Sequence, residues 1–202
     1  SRRNPWGESA TLVGGGTTAG VSYAFIVENG TLSATGLDSR TDQALFEPDS
    51  DGAVVLKVSM AGDTLAVTRL RGEIFAYELY SVSRAADSQL ELSLRRSLAR
   101  GDARGPIVLA SDGSLAAYVA TGSDELSSAV VVVDTTGEQI GSYQGPEGWN
   151  ITRLTFDGRW ILATLESPSV TRLSRSDRIL VIDTLEDEQW VVDTFARFAF
   201  VS

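Results

Sequence analysis

The sequence predicts an all-β fold built from successive four-stranded antiparallel sheets, and three observations carry that prediction. First, one pattern of apolar runs and turns occurs twice between residues 105 and 194. Its first copy reads Ile107-Val108-Leu109-Ala110, Ser111-Asp112-Gly113, Leu115-Ala116-Ala117-Tyr118, a polar loop, and Val130-Val131-Val132-Val133 into Asp134-Thr135-Thr136-Gly137. The second reads Ile151-Thr152-Arg153-Leu154, Phe156-Asp157-Gly158, Trp160-Ile161-Leu162-Ala163, a polar loop, and Ile179-Leu180-Val181-Ile182 into Asp183-Thr184. Second, Gly62, Gly113 and Gly158 fall in register at spacings of 51 and 45 residues, each with an apolar run close behind. Third, Leu90, Leu92 and Leu94 alternate with Glu91, Ser93 and Arg95, the period of two that turns one face inward and one to water. Self-similarity at roughly 40–50 residues, with several short strands per unit, is the signature of a β-propeller blade.

Taken in order, residues 1–8 read as a tether and 9–202 as a single propeller domain. The Arg2-Arg3-Asn4-Pro5-Trp6 segment reads first as a plain terminal tail, and as the outer flank of a membrane anchor or signal segment in the alternative, since Trp favours membrane interfaces. A first short strand is expected near Ala10 to Val13, with the Gly14-Gly15-Gly16 run as part of the lead-in. Val21 to Val27 is dense in β-branched and aromatic residues and ends at Asn29-Gly30, the strongest short hairpin signal because both residues tolerate positive φ. This hairpin is expected to supply the last two strands of an earlier blade.

The polar stretch Glu47-Pro48-Asp49-Ser50-Asp51-Gly52 alternates acids ahead of a glycine, as a calcium loop does. Val58 stands where that loop would need a bidentate Glu, so a turn before a strand is the preferred reading, and neither a metal nor another cofactor is assigned. From Ala53 a complete blade follows: Val54-Val55-Leu56, Leu65-Ala66-Val67, Ile74-Phe75-Ala76-Tyr77 and Gln89 to Leu94. Strand counting then gives four blades, the last closed by both termini through pairing of Ala196 to Val201 with Thr11 to Val13, because pairing the ends removes two exposed edges. The alternative is a fragment of a larger propeller.

Composition narrows function. The 202 residues contain neither cysteine nor histidine, which excludes disulfides, thiolate metal sites and every nucleophile that needs an imidazole base. An enzyme would have to work with carboxylates, Tyr, Arg or Lys57, the only lysine. A formal net charge of −10 disfavours a nucleic-acid partner. No apolar run approaches the ~18 residues of a membrane span.

The Ser111-Asp112-Gly113 and Phe156-Asp157-Gly158 turns, each followed by an apolar strand and later by Val133-Asp134 or Ile182-Asp183, resemble the TolB-type, WD-like propeller repeat over residues 53–194. In this sequence no Pro precedes Asp112 or Asp157, Gly62 precedes its acid, and the Trp-Asp dipeptide is missing. The resemblance implies a propeller, and functions ranging over partner platforms, peptidase gates and sugar-binding scaffolds. The tether-like start together with this repeat also resembles the propeller region of envelope-anchored bacterial proteins, which implies an extracytoplasmic location.

In such a blade the loops joining strands two to three and four to one emerge on one face, and the longer loops of this sequence fall there. Trp149, Tyr143, Glu147, Asp124, Glu125, Arg172 and Arg175 are the candidate binding residues, because aromatic and guanidinium groups on loops are the anchors that interfaces favour. The expected partner is a protein or peptide. Arg95, Arg96, Arg100 and Arg104 form a local basic stretch, read as a solvated edge first and as a seat for an acidic partner or phosphate second. The carboxylates Asp124, Glu125, Glu147 and Glu166 are the only pairing a glycosidase could use. The sequence therefore reads as a non-catalytic protein-binding or scaffold module, with a carbohydrate-binding or carboxylate-based glycoside-active propeller as the alternative.

Overall fold

A computed structural model describes residues 10–38, 42–47, 52–85, 89–121, 128–167 and 178–193. The described residues contain strands and turns and no helix. The strands form four consecutive meanders: β1 (Thr11–Thr18), β2 (Val21–Glu28), β3 (Thr31–Gly36) and β4 (Asp42–Phe46); β5 (Val54–Ala61), β6 (Thr64–Arg71), β7 (Ile74–Arg84) and β8 (Leu90–Arg100); β9 (Val108–Leu109), β10 (Leu115–Thr121), β11 (Ser128–Asp134) and β12 (Gln139–Gln144); β13 (Asn150–Asp157), β14 (Trp160–Glu166), β15 (Arg178–Asp183) and β16 (Glu188–Asp193). Within each meander every strand pairs antiparallel with the next.

The sheets are stacked face to face in chain order, as blades must be. Tyr23, Phe25 and Leu32 of the first sheet pack on Val58, Leu65 and Val67 of the second. Tyr77, Leu79 and Leu98 on the other face of the second sheet pack on Leu109, Tyr118 and Val133 of the third. Val130 and Val132, turned the other way, pack on Leu154, Ile161 and Leu180 of the fourth. Alternation along each strand thus serves two interfaces, which is why Val130-Val131-Val132-Val133 is apolar without a break.

Two features depart from the sequence reading. The Gly14-Gly15-Gly16 run is strand, because β1 lies parallel to β5 with Gly14 opposite Val58 and Gly16 opposite Met60. A Cβ on Gly14 would stand 1.8 Å from the Val58 carbonyl oxygen, and one on Gly16 2.1 Å from that of Met60. The glycines are there because no side chain fits. In consequence β1 to β4 make a complete four-stranded first blade, joined through β1 and β5 to the second in one eight-stranded sheet, so the Asn29-Gly30 hairpin joins the two middle strands of that blade. Ala196 to Val201, expected to close the ring against Thr11 to Val13, lie outside the described residues. The Asn29-Gly30 turn itself has φ of 52° and 84°, as expected of a two-residue hairpin loop. Leu94, expected inward, is 55% exposed. It shares the face of Leu90 and Leu92 but lies on the edge strand β8, and a bulge just beyond it makes Arg95 extra, so that Arg96 and Leu98 turn to the other face.

The glycine turns between the first and second strands also meet one another. Gly113, at φ 75°, lies where a Cβ would approach the Ala61 carbonyl oxygen to 2.1 Å, and Gly62 stands in the same relation to Asp112 at 2.4 Å. The aspartates ending the third strands organise their own turns. Asp134 Oδ1 accepts the Thr136 and Glu138 backbone N–H groups, at 2.8 and 3.0 Å, as well as the Thr136 hydroxyl. Asp183 accepts from the Arg159 guanidinium and from the Leu185 and Glu186 N–H groups, and these bonds, Arg159 foremost, hold its carboxyl at about 2. The face of the fourth sheet turned away from the third stays open, with Trp160, Leu162, Trp190 and Val192 between 38 and 43% exposed.

A buried ion pair of the second sheet lies against the first. Arg69 Nε donates to Glu78 Oε2 at 3.0 Å, with the two side chains 7% and 13% exposed, the Tyr80 hydroxyl donates to the same oxygen at 2.9 Å, and the guanidinium lies over the Phe46 ring. Glu78→Ala removes the carboxylate that both donors use and should cost about 3 kcal/mol, read as a lowered midpoint in urea. Gly16→Val should cost about 2–3 kcal/mol by forcing β1 off β5; a variant as stable as the wild type would show that the contact does not hold the first two sheets together.

Candidate functional site

The directions of the inner strands define the two faces. β1 and β5 run parallel, and the turns leaving β5, β9 and β13 are neighbours through Gly62 beside Asp112 and Gly158 beside Ser111, so all four inner strands point the same way. At their starts lie the connections 101–107 and 145–149. At their ends lie the tight turns just described.

The connection 101–107 is held firmly. Tyr77 donates its hydroxyl to the Gly105 carbonyl at 2.8 Å, the Ile107 N–H reaches Thr68 Oγ1 at 3.2 Å, and Arg104 N–H and Thr121 N–H bond to the Val119 and Asp102 carbonyls. Arg104 Nε donates to Thr121 Oγ1 at 3.1 Å, which aims the guanidinium. The expected basic stretch is not one patch. Arg95 reaches back to Asp63 at 3.0 Å beside a tight turn, while Arg104 belongs to the opposite face.

The expected loop residues fall out as follows. Glu147 is exposed at the tip of the 145–149 connection. Trp149 beside it is half-buried against the core of the third and fourth sheets, with the Arg178 guanidinium 4.7 Å from its ring centre. Tyr143 belongs to that core rather than to the loop surface: it is 8% exposed, and its hydroxyl donates to Asp187 Oδ1 at 2.9 Å. Burial, reinforced by Asp187, pushes its phenol up to about 12. Asp124, Glu125, Arg172 and Arg175 lie outside the described residues, as do Asp49 and Asp51 of the calcium-like stretch.

The structure adds an axial cavity that the sequence reading missed. All four inner strands line a space of about 510 Å³: Gly15 to Thr17 from β1, Lys57 and Ser59 to Ala61 from β5, Val108 and Leu109 from β9, and Leu154 to Phe156 from β13. Towards the face bearing 101–107 it meets a second space of about 220 Å³, sharing Lys57, Val108 and Leu154 and adding Arg104 and Arg153. Lys57, Arg104 and Arg153 all line this second space, and no described carboxylate lines either one. Lys57 has no ion-pair partner among the described residues, and burial alone draws its amine below 10.5. The one signal in the sequence was the position of the only lysine inside an apolar inner strand, Val54-Val55-Leu56-Lys57-Val58.

No protein-family model and no curated protein matches the sequence. Solved structures do match the fold. Hydrazine synthase of Kuenenia stuttgartiensis is similar at a TM-score of 0.60 and 14% identity, over 90% of this chain and 53% of that one. The β-propeller domain of the trilobed protease of Pyrococcus furiosus is similar at 0.56 and 10% identity, over 92% and 57%. The Cps50 (Swd1) β-propeller domain of Myceliophteria thermophila is similar at 0.54 and 14% identity, over 77% and 48%. The chain spans about half the length of these structures. The fold is a β-propeller of four-stranded antiparallel blades, as the TolB-type, WD-like repeat resemblance implies.

Because Lys57 is the only lysine, one resonance in a sample labelled with 13C-lysine reports it. Its titration should centre below 10.5. The unfolded chain then holds the proton over the interval between the two midpoints, so stability should rise with pH there, and Lys57→Met should remove that rise. A midpoint at or above 10.5 would mean that an anion already pairs with the amine.

Proposed function

We propose that this propeller is a non-catalytic binding module that presents the face carrying the 101–107 and 145–149 connections to a protein or peptide partner. The observation supporting it is the contrast between the two faces. The tight turns at one end of the inner strands pack against one another through Gly62 and Gly113, whereas the connections at the other end are longer, present Glu147 and Arg104 to solvent, and surround the mouth of the axial cavity. Rigid scaffolds place recognition on such connections.

On this reading Trp149 and Arg178 act as a pair at the edge of the face, and Asp124, Glu125, Arg172 and Arg175 extend it along their own loops. The carbohydrate alternative relied on Trp149 as a stacking platform, and one side of that ring already carries the Arg178 guanidinium. An extracytoplasmic setting belongs to the same proposal, supported by the Arg2-Arg3-Asn4-Pro5-Trp6 tether with its interface-preferring tryptophan.

Site-specific photo-crosslinking tests the face. A crosslinking residue at Glu147, or at Glu73 in the exposed β6–β7 turn on the same face, should capture a common partner, and one at Asp63 or Glu138 on the opposite face should not. Equal capture from both faces would remove the reading.

A further inference from the structure

The axial mouth has a composition that the rest of the molecule does not explain. Lys57 comes from the second sheet, Arg104 from the connection entering the third, and Arg153 from the fourth, so the fold gathers three cations that the sequence scatters over almost a hundred residues. Unlike Arg69, Arg95 and Arg159, which have acidic partners in Glu78, Asp63 and Asp183, none of the three is paired with a carboxylate among the described residues. Lys57 loses water beside this space of about 220 Å³, and that loss alone lowers its amine. An arrangement that costs the folded state in this way is relieved by an anion.

Between the cations the wall carries the apolar side chains of Pro106, Val108, Val119 and Leu154, interrupted by Thr152 and Gly105. A bare inorganic anion would leave that wall wet, whereas a carboxylate on an aliphatic stem satisfies both halves. A space of about 220 Å³ gives room for one side chain. Arg104 is preorganised for the task, since its Nε–H is spent on Thr121 and its terminal N–H groups have no partner among the described residues. Guanidinium groups bind carboxylates through two parallel hydrogen bonds, and the ammonium of Lys57 adds a point charge.

We propose that this mouth is a receptor for a single side-chain carboxylate, the glutamate or aspartate of an extended acidic segment on the partner. The inference rests on the proposed partner face and names what that face recognises. The net charge of −10 sharpens it. An acidic segment is repelled by the envelope everywhere except where local cations outweigh it, and a cleft lined by one sign of charge focuses the field at its mouth.

The test uses the lysine resonance as its reporter. The probe is the peptide acetyl-Gly-Glu-Glu-Gly-amide, with acetyl-Gly-Gln-Gln-Gly-amide and inorganic phosphate as comparisons. The Glu peptide should shift the Lys57 signal saturably, raise its titration midpoint, and lose affinity as salt is added. Arg104→Gln and Arg153→Gln should each weaken it at least tenfold, as should the Gln peptide. Arg104→Lys should recover part of the loss. Unchanged melting curves for these variants would separate lost binding from lost fold.

An unmoved Lys57 signal at millimolar peptide would overturn the proposal, as would equal binding of the Gln peptide. Phosphate matching the Glu peptide would overturn it too, in favour of a free-anion site. A lysine already titrating above 10.5 without peptide would mean that a carboxylate of the chain itself fills the mouth. Loss of peptide binding with capture through Glu147 intact would sink the carboxylate receptor alone; peptide binding without capture would sink the partner face and leave the receptor standing.

Discussion

The architecture depends on backbones approaching one another more closely than side chains allow. At Gly14 and Gly16 the first inner strand comes near enough to the second for hydrogen bonding between sheets, and at Gly62 and Gly113 successive turns rest carbonyl against Cα. Apolar contact between blades is tolerant, since leucine, valine and tyrosine repack at modest cost. Backbone contact is not, because a single methyl group at any of these four places collides with a carbonyl oxygen. These glycines set the distance of each inner strand from the axis, and that distance in turn sets the width of the cavity between them.

This division of labour governs the two ends of the molecule. Where turns are packed together they have no freedom to carry recognition, and their polar side chains are committed: Asp112 to Ser114, Asp134 to Thr136 and Glu138, Asp183 to Arg159. The resulting hydrogen bonds hold all three carboxyls below their ordinary range. At the opposite end Lys57 and Arg104 have no acidic partner among the described residues, and Glu147 is exposed beside them.

Legibility followed the range of the forces involved. The Asn29-Gly30 hairpin and the glycine register at 62, 113 and 158 could be read because positive φ is a demand made by a few adjacent residues. The Gly14-Gly15-Gly16 run was misread as lead-in because glycine is locally averse to strand, and the reason for it is a partner strand more than forty residues away. Tyr143 sits beside a run of turn residues and looked exposed, yet it is buried through a contact with Asp187. The face on which Leu98 lies depends on a bulge at Arg95, and that of Lys57 on a bulge at Leu56; neither leaves a mark in the pattern. The blade interfaces were visible in the sequence, but the axial site, where no two contributing cations are close in sequence, was not.

The bulge at Leu56 connects fold and site. Val55 pairs with Arg69 and Lys57 with Thr68, so Leu56 is the extra residue, and strict alternation is broken just before the lysine. Without it Lys57 would share a face with Val55, which is buried in the contact with the first sheet, and an ammonium there would be stranded among Phe25, Leu32 and Val67. With it Lys57 shares a face with Ser59 and opens into the axial space. Val58 and Met60 keep their places in the core. One inserted residue thus lets an inner strand remain apolar towards its neighbour while delivering a charge to the axis. A lysine at this position is tolerable only because of that insertion, and an uncompensated lysine on the axis is the asymmetry that an incoming carboxylate would remove.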